Sequence, residues 1–293
     1  MLAKKRRLSE KIVDSTNIIL LGIIALAMLF PFYYMFVVSF ATYEEFVKSD
    51  LLLMPKTWVL DAYEYILGSK EFIRSLGVTV YVTVVGSLIS IMLTAMMAYA
   101  LTRNILGQKV YVFLVLFTFV FGAGMIPTYM VVQATGLMDT LWALIIPGAI
   151  SSFNLIVMRQ FFLSLPMDLT EAAIIDGAND LQIFGKIILP LSKPALAAFG
   201  LFYAVGYWNS YFTALLYLSD PAKWTVQVVL RQMVILNKSN LLDVGMQAGM
   251  DQPPPAETVG MAAILLATVP ILIVYPFLQK HFAKGVMLGS VKE

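Results

Sequence analysis

Long apolar stretches are the feature that most limits what this chain can fold into. A helix needs roughly 20 mainly apolar residues to cross the hydrocarbon core of a membrane. Hydrophobic residues make up 60% of the 293 positions and charged residues only 13%, against about 25% charged in an ordinary soluble domain. The sequence therefore predicts an all-α membrane protein with six transmembrane helices. The six stretches are 18–40, 78–101, 110–132, 141–162, 195–218 and 261–278.

Glycine and proline interrupt two of these stretches. Gly122, Gly124 and Pro127 lie in the third, and Pro147 and Gly148 lie in the fourth. Such residues kink or end membrane helices, because they weaken or remove backbone hydrogen bonds. We expect bends or early ends at these positions.

The N-terminus begins with four basic residues, Lys4 to Arg7, as a secretory signal peptide does. The apolar run that starts at Ile18 is longer than the usual 7–15 residues of a signal peptide, and no small-residue cleavage site follows it. We therefore expect a retained first span.

The distribution of Lys and Arg predicts the orientation. With six spans, both termini lie on one side of the membrane, and most of the 20 Lys and Arg residues fall on that side. The opposite side carries more acidic than basic residues. Cytoplasmic segments of membrane proteins carry an excess of Lys and Arg. The side with most of these residues is therefore predicted to be cytoplasmic, and both termini lie on it.

The sequence lacks the residues that several kinds of functional site need. The chain has no cysteine and a single histidine, His281, which argues against a metal site and against a histidine-based triad. None of the confident spans contains a charged residue, which argues against proton-coupled transport and against an intramembrane protease. The chain also lacks a glycine-rich phosphate-binding loop. We expect no catalytic residue, no metal and no cofactor bound by this chain.

Two segments on the outer side are long, at 41–77 and 219–260. The first contains Asp61 to Leu67, which predicts a short helix, and the second ends in the proline-rich run 249–256, which is expected to be extended. Both segments are open to two interpretations: a solvated spacer or a surface that binds a partner protein.

The segment between the fourth and fifth stretches predicts two short helices joined by a sharp turn. Asp168 is expected to cap the first helix, with Glu171 completing a capping box. Gly177 stands where a helix needs a left-handed residue to end. The second helix is expected to carry one apolar stripe and to end at its prolines. That helix is built from Asn179 as the cap, Gln182 as its partner, the stripe Leu181, Phe184, Ile187 and Ile188, and Pro190 and Pro194 as the end.

This element is too short and too polar to cross a membrane. From the residues alone it is either an amphipathic hairpin on the membrane surface or a projection that docks into another protein. Glu171-Ala172-Ala173, with Gly177 six residues after the glutamate and Leu189-Pro190 further on, resembles the EAA loop of ABC importer permeases. The run 158–166, Asp176-Gly177-Ala178 and the C-terminal run 284–293 resemble the carbohydrate branch, as in the permeases of maltose importers.

The resemblance covers about residues 75–293 and implies a type I importer fold: a five-span core at 77–293, with the coupling loop at 167–194, preceded by an N-terminal part at 1–76 that adds one span. It implies a multi-pass protein of the bacterial inner (cytoplasmic) membrane. The implied partners are a second homologous permease, two cytoplasmic ATPase subunits that bind ATP and Mg, an extracytoplasmic solute-binding protein and membrane lipid, with no nucleic acid. The residues implied to contact the ATPase are Glu171, Ala172, Ala173, Asp176, Gly177, Leu189 and Pro190, and the tail 284–291 is a second implied contact.

The fifth stretch is rich in aromatic rings and amides, which suit the apolar faces and polar edges of sugars. The candidates for the substrate pathway are Tyr203, Tyr207, Trp208, Asn209 and Tyr211, with Asn154 from the fourth stretch. An aromatic belt at the membrane interface is the alternative for these rings. Weaker candidates in the second stretch, for which helix packing is the commoner role, are Thr79, Thr83, Ser87, Ser90 and Thr94.

The leading hypothesis is thus a permease for an oligosaccharide or longer glycan, driven by ATP hydrolysis in partner chains. An ABC importer permease for a peptide, an amino acid or phosphate is the nearest alternative, since it would share the coupling loop. A membrane-embedded enzyme would need ionisable groups at one depth, and the spans contain none.

Overall fold

The computed structural model describes residues 8–234 and 254–290, with side chains at 13–42, 44–234 and 254–274. Within these residues every regular element is helical and no strand occurs. The prediction of an all-α protein is confirmed. The proline-rich run 249–253, the basic side chains before residue 12, His281 and the side chains of the tail 284–293 lie outside this description.

The described residues form fifteen α-helices, numbered here in chain order. They are α1 (Leu8–Ser39), α2 (Tyr43–Lys48), α3 (Asp61–Gly68), α4 (Lys70–Ala100), α5 (Gln108–Val120), α6 (Met125–Ala134), α7 (Trp142–Ile145), α8 (Ser152–Leu163), α9 (Met167–Ile175), α10 (Asp180–Ile183), α11 (Leu189–Leu191), α12 (Lys193–Trp208), α13 (Phe212–Tyr217), α14 (Val226–Val234) and α15 (Ala256–Ser290). A π-helical turn (Phe184–Ile188) lies between α10 and α11, and a 3₁₀ turn (Pro221–Lys223) lies before α14.

Three segments are long and apolar enough to cross a membrane: Val13–Ser39, Lys70–Ala100 and Ala256–Val274. Two bent pairs of helices, Gln108–Val120 with Met125–Ala134 and Asp180–Leu191 with Lys193–Trp208, raise the number to five if each pair is one span. A multi-pass membrane protein is confirmed at this level, and the number of six spans stays a prediction.

The bend expected in the stretch 110–132 is present, and this stretch is not one helix. The chain turns by 117° between α5 and α6, at a break where Gly124 has a positive φ of 83°. The stretch at 141–162 is likewise not one helix, because α7 ends at Ile145 and α8 begins only at Ser152. The stretch at 195–218 is divided at Asn209 between α12 and α13. Glycine, proline and polar residues at these points interrupt the backbone hydrogen bonds of the helices.

The structure divides into two compact units, 1–69 with 232–266 and 70–231 with 267–293. In the first unit, α1 is apolar from Ile18 onward, and the side chains of this stretch are exposed up to Phe32. At its end, Phe36 and Phe40 pack against Trp58 and Tyr63, and Ser39 shares a hydrogen bond of 2.8 Å with the Tyr63 hydroxyl. The short helix predicted from Asp61 is present as α3.

The second unit is built around α4, which packs against α12 and α8. Two hydrogen bonds cross from α4 to α12: Ser90 Oγ lies 2.8 Å from the Tyr207 hydroxyl, and Thr94 Oγ1 lies 2.7 Å from the Tyr203 hydroxyl. All four residues are buried. Because lipid provides no hydrophobic force between membrane helices, such hydrogen bonds and close packing hold them together.

Gly86 sets how closely α4 approaches α12. A Cβ atom at this position would lie 2.8 Å from the Tyr207 ring. That ring cannot easily move, since its hydroxyl is also 3.2 Å from the carbonyl oxygen of Ile145. The absence of a side chain at Gly86 is therefore a requirement of the packing.

Gly86→Ala should lower stability by about 1–3 kcal/mol, the usual cost of overpacking a fixed contact. Thermal unfolding of the purified protein in detergent measures this effect. The matched control is Gly77→Ala in the same helix, where a Cβ atom would meet nothing within 4 Å. Equal unfolding temperatures for the two variants would contradict the proposed packing.

Candidate functional site

The 167–194 loop begins with α9 and turns sharply at Gly177. Gly177 has a φ of 81°, and its N–H donates to the carbonyl of Ile174 while the N–H of Ala178 donates to that of Ala173, at 3.0 and 2.9 Å. These two bonds form a Schellman motif, which requires the left-handed residue that glycine supplies. The predicted turn is confirmed.

The two predicted helix caps have different outcomes. The capping box of Asn179 and Gln182 is confirmed, with bonds of 2.9 and 3.0 Å in the two directions. The cap at Asp168 is wrong, because α9 begins at Met167 after Pro166 and has no side-chain cap. Pro166 takes the cap position, so the helix starts earlier than predicted and Asp168 lies in its first turn. A negative charge in the first turn still interacts favourably with the helix dipole.

The helix end predicted at Pro190 and Pro194 is confirmed, between the two prolines. The helix continues through the π-helical turn and α11, and it ends at Leu191. Pro190 has no N–H and would clash with the carbonyl four residues earlier, and the wider π turn accommodates it. Pro194 lies in the first turn of α12, whose axis is bent by 82° from the preceding helix.

The loop has an exposed apolar side and a buried side. Ile175 is 85% and Leu181 77% exposed, whereas Ile183 and Ile188 are 1% and 5% exposed. Leu181 is therefore not part of the stripe that faces the protein, and Ile183 is buried there in its place. The buried side packs in one cluster with residues of α4, α8 and α12.

An ion pair attaches the loop to the end of α4. Arg103 Nε lies 3.3 Å from Asp180 Oδ1, and the Arg103 guanidinium lies 4.7 Å from the centre of the Tyr99 ring. The Tyr99 hydroxyl donates to Asp180 over 3.3 Å, and the Tyr99 ring contacts Phe184 at 5.1 Å between centroids. The second half of the loop is thus held to α4 by charge and by aromatic packing.

The residues predicted to contact the ATPase share one element but not one environment. Glu171, Ala172, Asp176, Gly177 and Pro190 are exposed, and Ala173 and Leu189 are partly buried against the core of the second unit. Their contact with an ATPase stays a prediction.

The candidate pathway residues of α12 mostly face inward. Tyr203, Tyr207, Trp208 and Asn154 are each 6–7% exposed, and the Tyr203 hydroxyl also accepts the N–H of Ser151 at 3.0 Å. The two tyrosines thus hold helices together in this conformation, and their contact with a solute stays a prediction.

The remaining pathway candidates lie at the break after α12. Asn209 is exposed, and its side-chain amide donates to the Val205 carbonyl at 2.9 Å. Tyr211 is half-buried, and its hydroxyl has no hydrogen-bond partner, nor does Nε1 of Trp208. These atoms are donors that the described part of the chain does not use.

A second polar connection joins the turn after α6 to the segment after α13. Asp139 Oδ1 accepts the backbone N–H groups of Ser219 and Asp220 at 3.1 and 3.0 Å, and Lys223 Nζ lies 2.8 Å from Asp139 Oδ2. The hydrogen bond from Lys223, with those from Asp220 and Ser219, lowers the pKa of the Asp139 carboxyl. The bond to Asp139 in turn raises the pKa of Lys223.

The hydroxyls of α4 are used in packing. Besides Ser90 and Thr94, Thr79 Oγ1 accepts the N–H of Val226 at 2.8 Å. Thr83 and Ser87 are the two whose buried hydroxyl oxygens find no hydrogen-bond partner among the described residues.

The family described as the inner membrane component of binding-protein-dependent transport systems matches residues 86–288. The chain belongs to this family. The resemblance to ABC importer permeases of the carbohydrate branch is thereby confirmed. As a member of this family the chain is a component of a transport system of the inner membrane.

Relatives and a solved structure agree with this assignment. The chain is 52% identical over 269 residues to the polygalacturonan/rhamnogalacturonan transport system permease protein YtcP of Bacillus subtilis (strain 168), covering 92% of this chain and 94% of the relative. It is 48% identical over 283 residues to protein LplC of the same strain, covering 96% and 95%. A chain of a bacterial ABC transporter involved in the import of the acidic polysaccharide alginate superposes with a TM-score of 0.90 at 36% identity, covering 96% of this chain and all of that one.

Reasoning from the sequence missed the polar connections between distant segments. Tyr99 and Asp180 are 81 residues apart, and Asp139 and Lys223 are 84 apart. The sequence shows a charged residue in each pair, but it does not indicate which distant residue that charge contacts.

Gly177→Ala should weaken the turn of the 167–194 loop. A Cβ atom there has open space, so the cost is the left-handed backbone itself, roughly 1–2 kcal/mol. Hydrogen exchange at the N–H groups of Gly177 and Ala178 should lose protection by a factor of about 5–30. Gly185→Ala, at a glycine with open space and no positive φ, is the control. Unchanged protection in the Gly177 variant would contradict the turn.

Asp139→Ala should lower the unfolding temperature more than Asp139→Asn. Asn tolerates the positive φ of 56° at this position and keeps an oxygen for the two N–H groups, but it lacks the charge that pairs with Lys223. Because the folded-state pKa of Asp139 is lowered, its stabilisation is present above its ordinary pKa and is lost as pH falls through the folded-state value. Thermal unfolding at neutral and acid pH measures both effects, and equal values for the two variants would refute the role of the backbone bonds.

Proposed function

We propose that this chain forms half of the translocation pathway of an ATP-driven ABC importer for oligosaccharides or longer glycans. In this proposal a second, homologous permease forms the other half. Two cytoplasmic ATPase subunits bind ATP and Mg and hydrolyse ATP, and an extracytoplasmic solute-binding protein delivers the glycan. Both termini of the chain are cytoplasmic, and six spans cross the membrane.

The shape of the 167–194 loop is the observation that carries this proposal. Two short helices joined at Gly177 present Ile175 and Leu181 outward, while their other side packs against the core of the second unit. Exposed apolar side chains beside acidic ones are typical of a surface that docks into another protein. A hairpin that only rested on lipid would not need an ion pair between Asp180 and Arg103, which follows the end of α4.

The same contacts provide a route by which movement of the ATPase reaches the pathway. Force on α9 passes through the capped turn to α10. From there the Arg103–Asp180 pair and the Tyr99–Phe184 contact join it to α4. Since α4 is bonded to α12 through Ser90 and Thr94, the loop and these two helices move together. This is the property that coupling needs.

The substrate is proposed to be an acidic glycan. The relative YtcP is a permease of a polygalacturonan/rhamnogalacturonan transport system, and the structural relative belongs to an importer of the acidic polysaccharide alginate. Both names refer to polymers that contain uronic acids. We infer that this chain takes oligosaccharides of the same chemical class.

Glu171→Arg should uncouple the transporter. The test uses liposomes that contain this chain with its partner permease and ATPase, and it measures ATP hydrolysis stimulated by the glycan-loaded binding protein. The exposed side chain of Glu171 points away from the packed side of the loop, so the variant should assemble but lose stimulation down to the basal rate. Glu64→Arg in α3, also at an exposed glutamate, should keep full stimulation. Full stimulation in the Glu171 variant would refute the docking role of the loop.

A further inference from the structure

Arg231 is an exposed cation held over an aromatic ring beside the break that follows α12. Its guanidinium carbon lies 5.0 Å from the centre of the Tyr211 ring, and its side chain is exposed. No carboxylate lies within ion-pair distance of it among the residues that the structure describes. Lys223, by contrast, is neutralised by Asp139 and Asp220 at 2.8 and 3.6 Å.

Fixed contacts place Arg231 there. Thr225 Oγ1 donates to the carbonyl of Ser210 at 2.9 Å, and the N–H of Val226 donates to Thr79 of α4 at 2.8 Å. Val228 and Val229 are each 1% exposed. With one side of α14 buried in this way, Arg231 is left on the exposed side, next to the segment 209–211.

Local stabilisation accounts for only part of this arrangement. A cation in the last turn of a helix interacts favourably with the helix dipole, and a guanidinium over an aromatic ring gains cation–π energy. Neither interaction neutralises the positive charge or uses the outward N–H groups of the guanidinium. Those donors remain available to an anion from solution.

The chemistry of the site fits a sugar acid. A guanidinium binds a carboxylate through two parallel hydrogen bonds, and the Tyr211 ring, which packs against buried residues of the second unit, fixes the position of this guanidinium. The same short segment carries exposed Asn209, whose amide adds a polar group beside the guanidinium. The site thus combines a charge held in a fixed place with an exposed amide in the neighbouring segment.

We propose that Arg231, held over Tyr211, binds the carboxylate of a uronic acid residue as the glycan enters the pathway. This inference rests on the proposed function and deepens it, because it names the group that recognises the charge of the substrate. No intramembrane cation is required, since the charge is read before the glycan passes between the spans.

The experiment measures the uptake of a galacturonate oligosaccharide into liposomes that contain the assembled transporter, with the same binding protein throughout. Uptake is measured at low salt and at about 1 M salt, where the Debye length is about 3 Å. Arg231→Gln should raise the KM for uptake about 10-fold at low salt, as expected for a lost charge-assisted contact. Arg231→Lys should give an intermediate KM. The ratio of variant to wild-type KM should shrink at high salt. Arg74→Gln, at another exposed arginine, should keep the wild-type KM.

The outcomes separate this inference from the proposal on which it rests. If the wild-type protein imports the galacturonate oligosaccharide and Arg231→Gln has the wild-type KM, or a raised KM that salt does not change, the Arg231 site is wrong and the substrate class stands. If the wild-type protein imports only neutral oligosaccharides, the acidic substrate class is wrong, and this site with it. Should Arg231→Gln fail to assemble, Arg231→Lys decides, because an unchanged KM in that variant overturns the site.

Discussion

The contact between α4 and α12 is the interaction on which the rest of the second unit depends. Ser90 and Thr94 on one helix bond the hydroxyls of Tyr207 and Tyr203 on the other, and Gly86 lets the Tyr207 ring come close. In a membrane these contacts replace the hydrophobic force that holds soluble cores. The same helix carries Thr79, which bonds α14, and Tyr99, which contacts the 167–194 loop. One helix thereby connects the proposed coupling surface with the proposed entry of the glycan.

This arrangement suits a protein that transmits movement and performs no chemistry itself. Hydrogen bonds between buried hydroxyls each stabilise the helix contact by a modest free energy, and Arg103 and Asp180 join the loop to α4 outside the apolar stretch. The charged groups stand at the ends: Asp139 with Lys223, and Arg231 over Tyr211. Helices held together by buried hydrogen bonds, with the charged groups outside the apolar stretches, are what the proposed importer half requires.

Local signals in the sequence were sufficient for the turn of the loop. Gly177 follows a run of helix-forming residues, and Asn179 stands three residues before Gln182, so each feature needed only near neighbours to be predicted. The apolar stretches likewise indicated a membrane protein, because length and composition alone decide that question.

Features that depend on competition or on distant partners were not predictable in the same way. Pro166 moved the start of α9 and displaced Asp168 from the cap, and the π-helical turn before Pro190 had no signal in the sequence. The break between α5 and α6 was indicated by Gly124, but its angle of 117° was not. Tyr203 and Tyr207 looked like pathway residues, since nothing in the sequence revealed that Ser90 and Thr94 would occupy their hydroxyls.

The most direct test of the central claim is a cross-link between the 167–194 loop and the ATPase. The chain has no cysteine, so a single Ile175→Cys change places one reactive group at an 85% exposed position on the loop. Paired with cysteines in the cleft of the ATPase, it should cross-link in the assembled transporter and stop glycan-stimulated ATP hydrolysis until the bond is reduced. Leu106→Cys, at a 99% exposed position outside the loop, should leave hydrolysis unaffected. An active transporter in which Ile175→Cys forms no cross-link to the ATPase would contradict the account.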